Sequence, residues 1–286
     1  MPKPRQHPIF QTVWWGTNVF LALALVAVAY TGYREFAIRW YLDGFSDAIV
    51  PGIMPTEPKV QAILDWMRVE PLRAPGSPDG LSTRDPQVTL NYQKLLQVCG
   101  TATNAFLNLA REDDLRVRRL LLLAPDGSAK HVVAEVLIDG RWIVVDPTYR
   151  VIMRDAKGRM LTRTDLQRPD LLAQATSAIQ NYPSEYTYQH VAHVRMARLP
   201  VVGRFLRRFF DTIYPNWEEA VDWSLLLERE SFFYLMLAST VFLFLLAFRQ
   251  ILGWYADSML RISRFHFREK LIRAGVAFLS TPEIKE

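Results

Sequence analysis

The sequence predicts an α+β domain, in which a helix that begins at a cysteine packs on an antiparallel sheet, flanked by an N-terminal and a C-terminal transmembrane helix. Three observations carry this prediction. Two long uncharged apolar runs lie towards the ends of the 286-residue chain. A helical pattern starts at its single cysteine, Cys99. Three strand-like segments separated by Asp-Gly turns follow that helix.

The first apolar run, Val13 to Tyr30, sits inside a stretch with no charge between Arg5 and Arg34, and the second, Ser231 to Phe248, is also uncharged. Each approaches the roughly 20 residues that cross a bilayer. Trp14 and Trp15 at one end of the first run, and Tyr30, Tyr33, Trp40 and Tyr41 at the other, have the placement of interfacial aromatic belts. Ala27-Val28-Ala29 has the small-residue form of a leader cleavage site, so a cleaved signal peptide is the alternative for this run.

Charge sets the expected orientation. Lys3 and Arg5 precede the first span, and seven cations against four acids follow the second, from Arg249 to Glu286. These ends carry the whole net charge of +5. Glu218, Glu219, Asp222, Glu228 and Glu230 crowd the approach to the second span. Cations beside short flanks stay inside, so both termini are expected in the cytoplasm and the intervening domain outside the inner membrane, in a periplasm or its equivalent. The basic balance is thereby spent on topology, and no nucleic-acid partner is expected. The resulting division is a cytoplasmic N-terminus (1–12), a first span (13–33), an outward domain (34–194), an amphipathic juxtamembrane segment (195–230), a second span (231–248) and a basic cytoplasmic tail (249–286).

Half the residues are apolar and 12% are aromatic, enough to build a core. From Glu57 the apolar spacing is helical, with Pro58 suited to a first turn. Pro71, Pro75, Gly76, Pro78, Gly80 and Pro86 mark residues 71–88 as a long loop. Val98 to Arg111 follows as a helix with Ala102, Ala105, Phe106 and Leu109 on one face. Leu115–Leu123, Val132–Ile138 and Arg141–Val145 are the strand candidates, turned at Asp126-Gly127 and Asp139-Gly140. A small hairpin is expected within Tyr149–Thr162, and a helix over Leu166–Gln180.

One cysteine cannot form an internal disulfide, and a buried free thiol is commonly just a small apolar side chain. Here, however, the thiol starts a helix, where the partial positive charge favours the thiolate. It also has histidine and aspartate within reach. A two-residue turn at Asp139-Gly140 places Ile138 opposite Arg141, so Val133 faces Asp146 and His131 faces Thr148. His131 and Asp146 then leave the same sheet face as diagonal neighbours, about 7 to 8 Å apart at the backbone. The spacing permits a triad: Cys99 as nucleophile, His131 as its base and later acid, and Asp146 to fix the imidazole tautomer. The Cys99 backbone N–H is a natural oxyanion donor, and Gln93, six residues earlier, is a candidate second donor.

These residues resemble the transglutaminase-like superfamily. Cys99 at a helix start, His131-Val-Val-Ala-Glu135-Val136, and Trp142-Ile-Val-Val-Asp146-Pro147-Thr148 follow that family's nucleophilic Cys, H-x-x-x-E-V and W-x-x-x-D-P-T pattern in order and spacing, over Gln97 to Val151. The resemblance implies a papain-like core and acyl chemistry without a cofactor: hydrolysis of an amide or ester, or acyl transfer to an amine. Glu135 matches the family's acid and shares the triad face, which suits a supporting hydrogen bond. The sequence departs from the pattern at Gln97, Gly100 and Val133, where the family often has glycine, an aromatic or charged residue, and tryptophan.

His190 and His193, three apart, would share a helix face as two metal ligands. Two ligands make no site, and no metal is expected. Tyr182, Tyr186 and Tyr188 suit packing. The segments Arg195–Phe210 and Trp254–Phe278 alternate cations with large apolar groups, as membrane-surface helices do. The expected function is a membrane-anchored cysteine hydrolase or acyltransferase acting on an envelope peptide or protein. The alternative is a non-catalytic scaffold that retains the fold and serves a membrane-complex partner.

Overall fold

A computed structural model describes residues 8–50, 52–68, 86, 90, 99–194, 202–214, 217–220 and 222–260. The chain divides into two compact units, one formed by Met1–Tyr30 with Leu237–Glu286 and the other by Thr31–Met236. In the first lie the outer portions of two helices, α1 (Pro8–Ile49) and the last helix of the chain (Glu230–Ser258), both long and apolar enough to cross a membrane. Val19, Phe20, Leu23 and Val26 on one, and Leu243 and Phe244 on the other, are exposed, as side chains meant for hydrocarbon would be. Within this unit Arg249 Nε donates to Asn18 Oδ1 at 2.8 Å while its guanidinium lies 5.0 Å from the Trp14 ring centre.

The second unit is the α+β domain. Its helices are the end of α1, α2 (Thr56–Trp66) and α3 (Cys99–Glu112), followed by strands β1 (Val117–Leu123), β2 (Ala129–Ile138), β3 (Arg141–Asp146) and β4 (Val151–Ile152). Then come α4 (Arg163–Leu166), α5 (Pro169–Thr176), β5 (Val191–Ala192), α6 (Val202–Ile213), α7 (Trp217–Ala220), α8 (Trp223–Glu228) and α9 (Glu230–Ser258). The sheet runs β4-β3-β2-β1-β5, every neighbour antiparallel.

The β2–β3 hairpin has the predicted register, from Ala134 opposite Val145 to Ile138 opposite Arg141. Its cause is local. Asp139 and Gly140 both have positive φ, 48° and 76°, as a two-residue primed turn requires.

Alternation sorts β2 onto two cores. Ala134, Val136 and Ile138 face one, with Phe106 and Leu109 of α3, Val60, Ile63 and Leu64 of α2, and Ile38 and Leu42 of α1. Val133 faces the other, with Leu120, Leu122, Val144, Met153, Leu161, Leu166 and Tyr188. Burial of each such Leu, Ile or Phe contributes about 1.5–3 kcal/mol, which explains why α1 does not stop where its apolar run ends. Its later turns are a wall of the domain core.

The pattern of α3 predicted one apolar face, but every residue from Gly100 to Ala110 is buried. Its polar side chains are accommodated by hydrogen bonds: Thr103 Oγ1 donates to Val132 O at 2.9 Å, and Asn108 Nδ2 donates to Asn104 Oδ1 at 2.7 Å. Ser46 of α1 donates to Leu109 O at 3.0 Å. The helix is enclosed because α1 and α2 cover the side away from the sheet.

The expected helix over Leu166–Gln180 forms as two shorter ones, α4 and α5. Thr162 caps the first through a reciprocal pair of bonds with Asp165, and Pro169 starts the second.

Candidate active site

Three elements converge on Cys99. It begins α3, it is half-buried, and the Thr103 to Val132 bond one turn later pins that helix end to β2 beside His131. His131 and Asp146 leave the same face of the β2–β3 hairpin, and His131 Nε2 meets Asp146 Oδ2 at 2.7 Å. The imidazole is 1% exposed and the carboxylate is fully buried. Asp146 Oδ1 accepts from the backbone N–H of Thr148 at 3.0 Å and of Tyr149 at 3.3 Å, so the turn after β3 orients the carboxylate.

With Nε2 engaged by Asp146, the other ring nitrogen, Nδ1, is buried and left to the Cys99 thiol, whose hydrogen bond and charge act on the ring. The thiol is its electrostatic partner. Burial pushes the Cys99 pKa up, but hydrogen bonding to and charge on His131, with backbone N–H groups of Val132 and Gly100, outweigh it and the net shift is downward. Burial would neutralise His131; the Asp146 charge and hydrogen bond, then Cys99, instead raise its pKa from 6.5 to about 9. Both shifts favour thiolate beside imidazolium, the reactive form of a cysteine nucleophile.

An aromatic enclosure holds the ring. Tyr186 stacks on His131 with centroids 4.2 Å apart and planes 2° from parallel. Tyr149 stands edge-on at 6.1 Å, and Tyr182 packs against both tyrosines at 4.9 and 5.6 Å. Burial, then neighbouring charges including Asp146, pushes the Tyr182 and Tyr188 phenols up, keeping them neutral. Packing was the sequence expectation for these tyrosines; what they pack on, a residue more than fifty positions earlier, had no signal in sequence spacing.

Glu135 lies on the triad side of β2, fully buried, but its bonds go elsewhere. Arg118 Nε donates to its Oε2 at 2.7 Å, and His193 Nε2 lies 3.7 Å away. Arg118 in turn covers the Trp142 ring at 4.0 Å. Glu135 thus neutralises a buried arginine that clamps β1 to β2 and β3. Gln93 lies outside the described residues.

His190 and His193 are not on a helix: residues 191 and 192 between them form β5, paired with β1. His193 Nδ1 bonds Arg119 O at 2.7 Å, and its Nε2 is 3.3 Å from Arg163 Nη1. Neither nitrogen is turned to a shared site, and among the described residues no cluster of three His, Cys, Asp or Glu side chains could hold a metal ion.

Residues 43–147 match the family model of the Transglutaminase-like superfamily. The match contains Cys99, His131 and Asp146 and extends back through α2 to the last turns of α1, well beyond the motif-bearing stretch. No curated protein and no solved structure matches the chain.

Proposed function

Because residues 43–147 match the model of the Transglutaminase-like superfamily, we propose that the protein is a cysteine acyl-hydrolase or acyltransferase acting through Cys99, His131 and Asp146. The observation that carries this reading is the 2.7 Å His131–Asp146 contact with the second imidazole nitrogen left to the thiol.

The chemistry follows from the protonation states. The Cys99 thiolate attacks an amide or ester carbonyl carbon; the C–S bond forms and the carbonyl π electrons move to oxygen. The helix-start N–H of Cys99 is suited to stabilise that oxyanion. As the intermediate collapses, the C–N or C–O bond breaks and the leaving group takes the imidazolium proton from His131. Water, or an acceptor amine, then attacks the thioester while His131 removes its proton, and expulsion of the thiolate restores the enzyme. Asp146 holds the proton on Nε2 throughout, so that Nδ1 is the nitrogen that exchanges it.

The two long apolar helices anchor this domain in a membrane in the proposed arrangement, with both termini cytoplasmic and the domain in the periplasm. Lys3, Arg5 and the cationic tail support it. The amphipathic α6, which exposes Phe209 and Ile213, suits the membrane surface. An envelope peptide or protein is then the substrate.

Alkylation of the membrane-embedded protein by iodoacetamide tests the reading. Cys99 should react at least tenfold faster than free cysteine at pH 7, and His131→Ala should bring it to the free-thiol rate. Reaction at the free-thiol rate in the parent protein would leave a scaffold of a membrane complex as the function.

A further inference from the structure

A cavity of about 400 Å³ adjoins the carboxylate end of the triad and takes no part in the steps above. Thr148, Tyr149, Arg150, Gln180 and Asn181 are among the residues that line it. Its wall begins one hydrogen bond from the triad, because Thr148 and Tyr149 are the residues whose backbone N–H groups hold Asp146 Oδ1.

Three features mark it as a built site. Thr148 is 2% exposed, yet its hydroxyl has no hydrogen-bond partner among the described residues. Buried hydroxyls are normally satisfied. Arg150 and Asn181, both lining this cavity, sit in the left-handed region at φ 59° and 56°. That conformation is uncommon for arginine, whose side chain cannot bond its own backbone as asparagine's can, and such strain concentrates where a ligand is gripped. Third, no carboxylate pairs with the Arg150 guanidinium among the described residues. The cation beside it is Arg68, which donates from Nη2 to Arg150 O at 2.8 Å and is itself paired with Asp65 at 3.0 Å. Burial first, then the Arg68 charge, lowers the Arg150 pKa, the sign of a cation lacking its counter-ion.

We propose that this cavity is a substrate subsite that binds a carboxylate, and hence that the acyl substrate is a peptide bearing a free carboxylate group. A carboxylate is an acceptor only, and the guanidinium fork, the Thr148 hydroxyl and the amide N–H groups of Gln180 and Asn181 are the donors such a group takes. That the ligand is a substrate rests on the reading of Cys99 as nucleophile; that the cavity binds carboxylate does not.

Equilibrium binding to full-length Cys99→Ala protein in lipid nanodiscs tests the subsite without turnover. The probes are dansyl-labelled tetra-alanine with a free C-terminus, the same peptide as its carboxamide, and Ala-Ala-Glu-Ala carboxamide, which carries its carboxylate on a side chain. At least one carboxylate peptide should bind tenfold or more tighter than the neutral one, and which of them does identifies a terminal or a side-chain group. Arg150→Gln should abolish the discrimination and Arg150→Lys should restore part of it. Equal binding of all three peptides to the parent, equal weakening of all three by Arg150→Gln, or discrimination that survives Arg150→Gln would overturn the proposal. Failure of the nucleophile reading shows separately, as slow alkylation of Cys99.

Discussion

Tyr186 lies flat on the imidazole of His131, 4.2 Å between centroids and 2° from parallel. A ring face so placed fixes the imidazole's rotation and stabilises its cationic form by about 0.5–2 kcal/mol. Tyr186→Leu is therefore expected to lower the basic pKa of the Cys99 alkylation profile by about 0.5 to 1 unit, since one unit corresponds to 1.36 kcal/mol. Tyr186→Phe should hold it within a few tenths. A profile unmoved by leucine would show that Asp146 alone sets the charge of the ring.

The pH dependence has a defined shape. Thiolate exists above the lowered Cys99 pKa and imidazolium below the His131 value of about 9, so turnover should be bell-shaped with its basic limb near pH 9. The same shift links to folding. A histidine whose folded pKa lies above its unfolded value contributes stability that is complete below about pH 6.5 and lost as pH rises through 9. Melting temperature should fall across that window in the parent, and His131→Gln should flatten the fall.

Asp146→Asn is expected to slow turnover and Cys99 alkylation by about 10³–10⁴-fold with little loss of fold. Its Oδ1 can still accept from Thr148 and Tyr149, so the turn stays in place. The amide nitrogen then faces Nε2 and forces the proton onto Nδ1, the nitrogen that must receive the thiol proton. An intact melting temperature with lost reactivity would separate this tautomer effect from unfolding.

Arg229 is 3% exposed and donates to Glu112 Oε1 at 2.7 Å, while its Nε lies 3.5 Å from Glu35 Oε1. Ser231 donates to the other Glu35 oxygen at 2.6 Å. Arg229→Met strands two buried carboxylates and should lower unfolding free energy by about 3–5 kcal/mol, read by chemical denaturation. The triple change of Glu35, Glu112 and Arg229 to apolar residues should recover most of that loss.

Inserting one residue between Asp139 and Gly140 should abolish Cys99 activation, because a one-residue slip in β3 turns Asp146 to the opposite sheet face from His131. Gly140→Ala keeps the register and should cost only about 1–2 kcal/mol for an alanine at φ 76°.

That hairpin is also where the sequence was most legible. Asp139-Gly140 dictates a loop length, the loop dictates a register, and the register brings His131 to Asp146, all within sixteen consecutive residues. The limits of α1 were not legible. Arg34, Glu35 and Arg39 interrupt the apolar run without breaking the helix, and only the remote partners of Ile38 and Leu42 reveal why it continues. The two-residue β5 lies below any periodicity, so His190 and His193 were placed on a helix that does not form. Tyr186, Arg118 and Arg150 acquire meaning only from residues far away in sequence, and spacing has no access to such pairings.

Helix α3 is gripped at both ends by unrelated parts of the chain. At the far end of this 14-residue helix from the sulfur, Arg111 and Glu112 reach Asp222 on the approach to α9 and Arg229 beside its start, while Glu112 also meets Arg39 of α1 at 3.5 Å. A rod held this way should carry any disturbance of these ion pairs along its axis to Cys99.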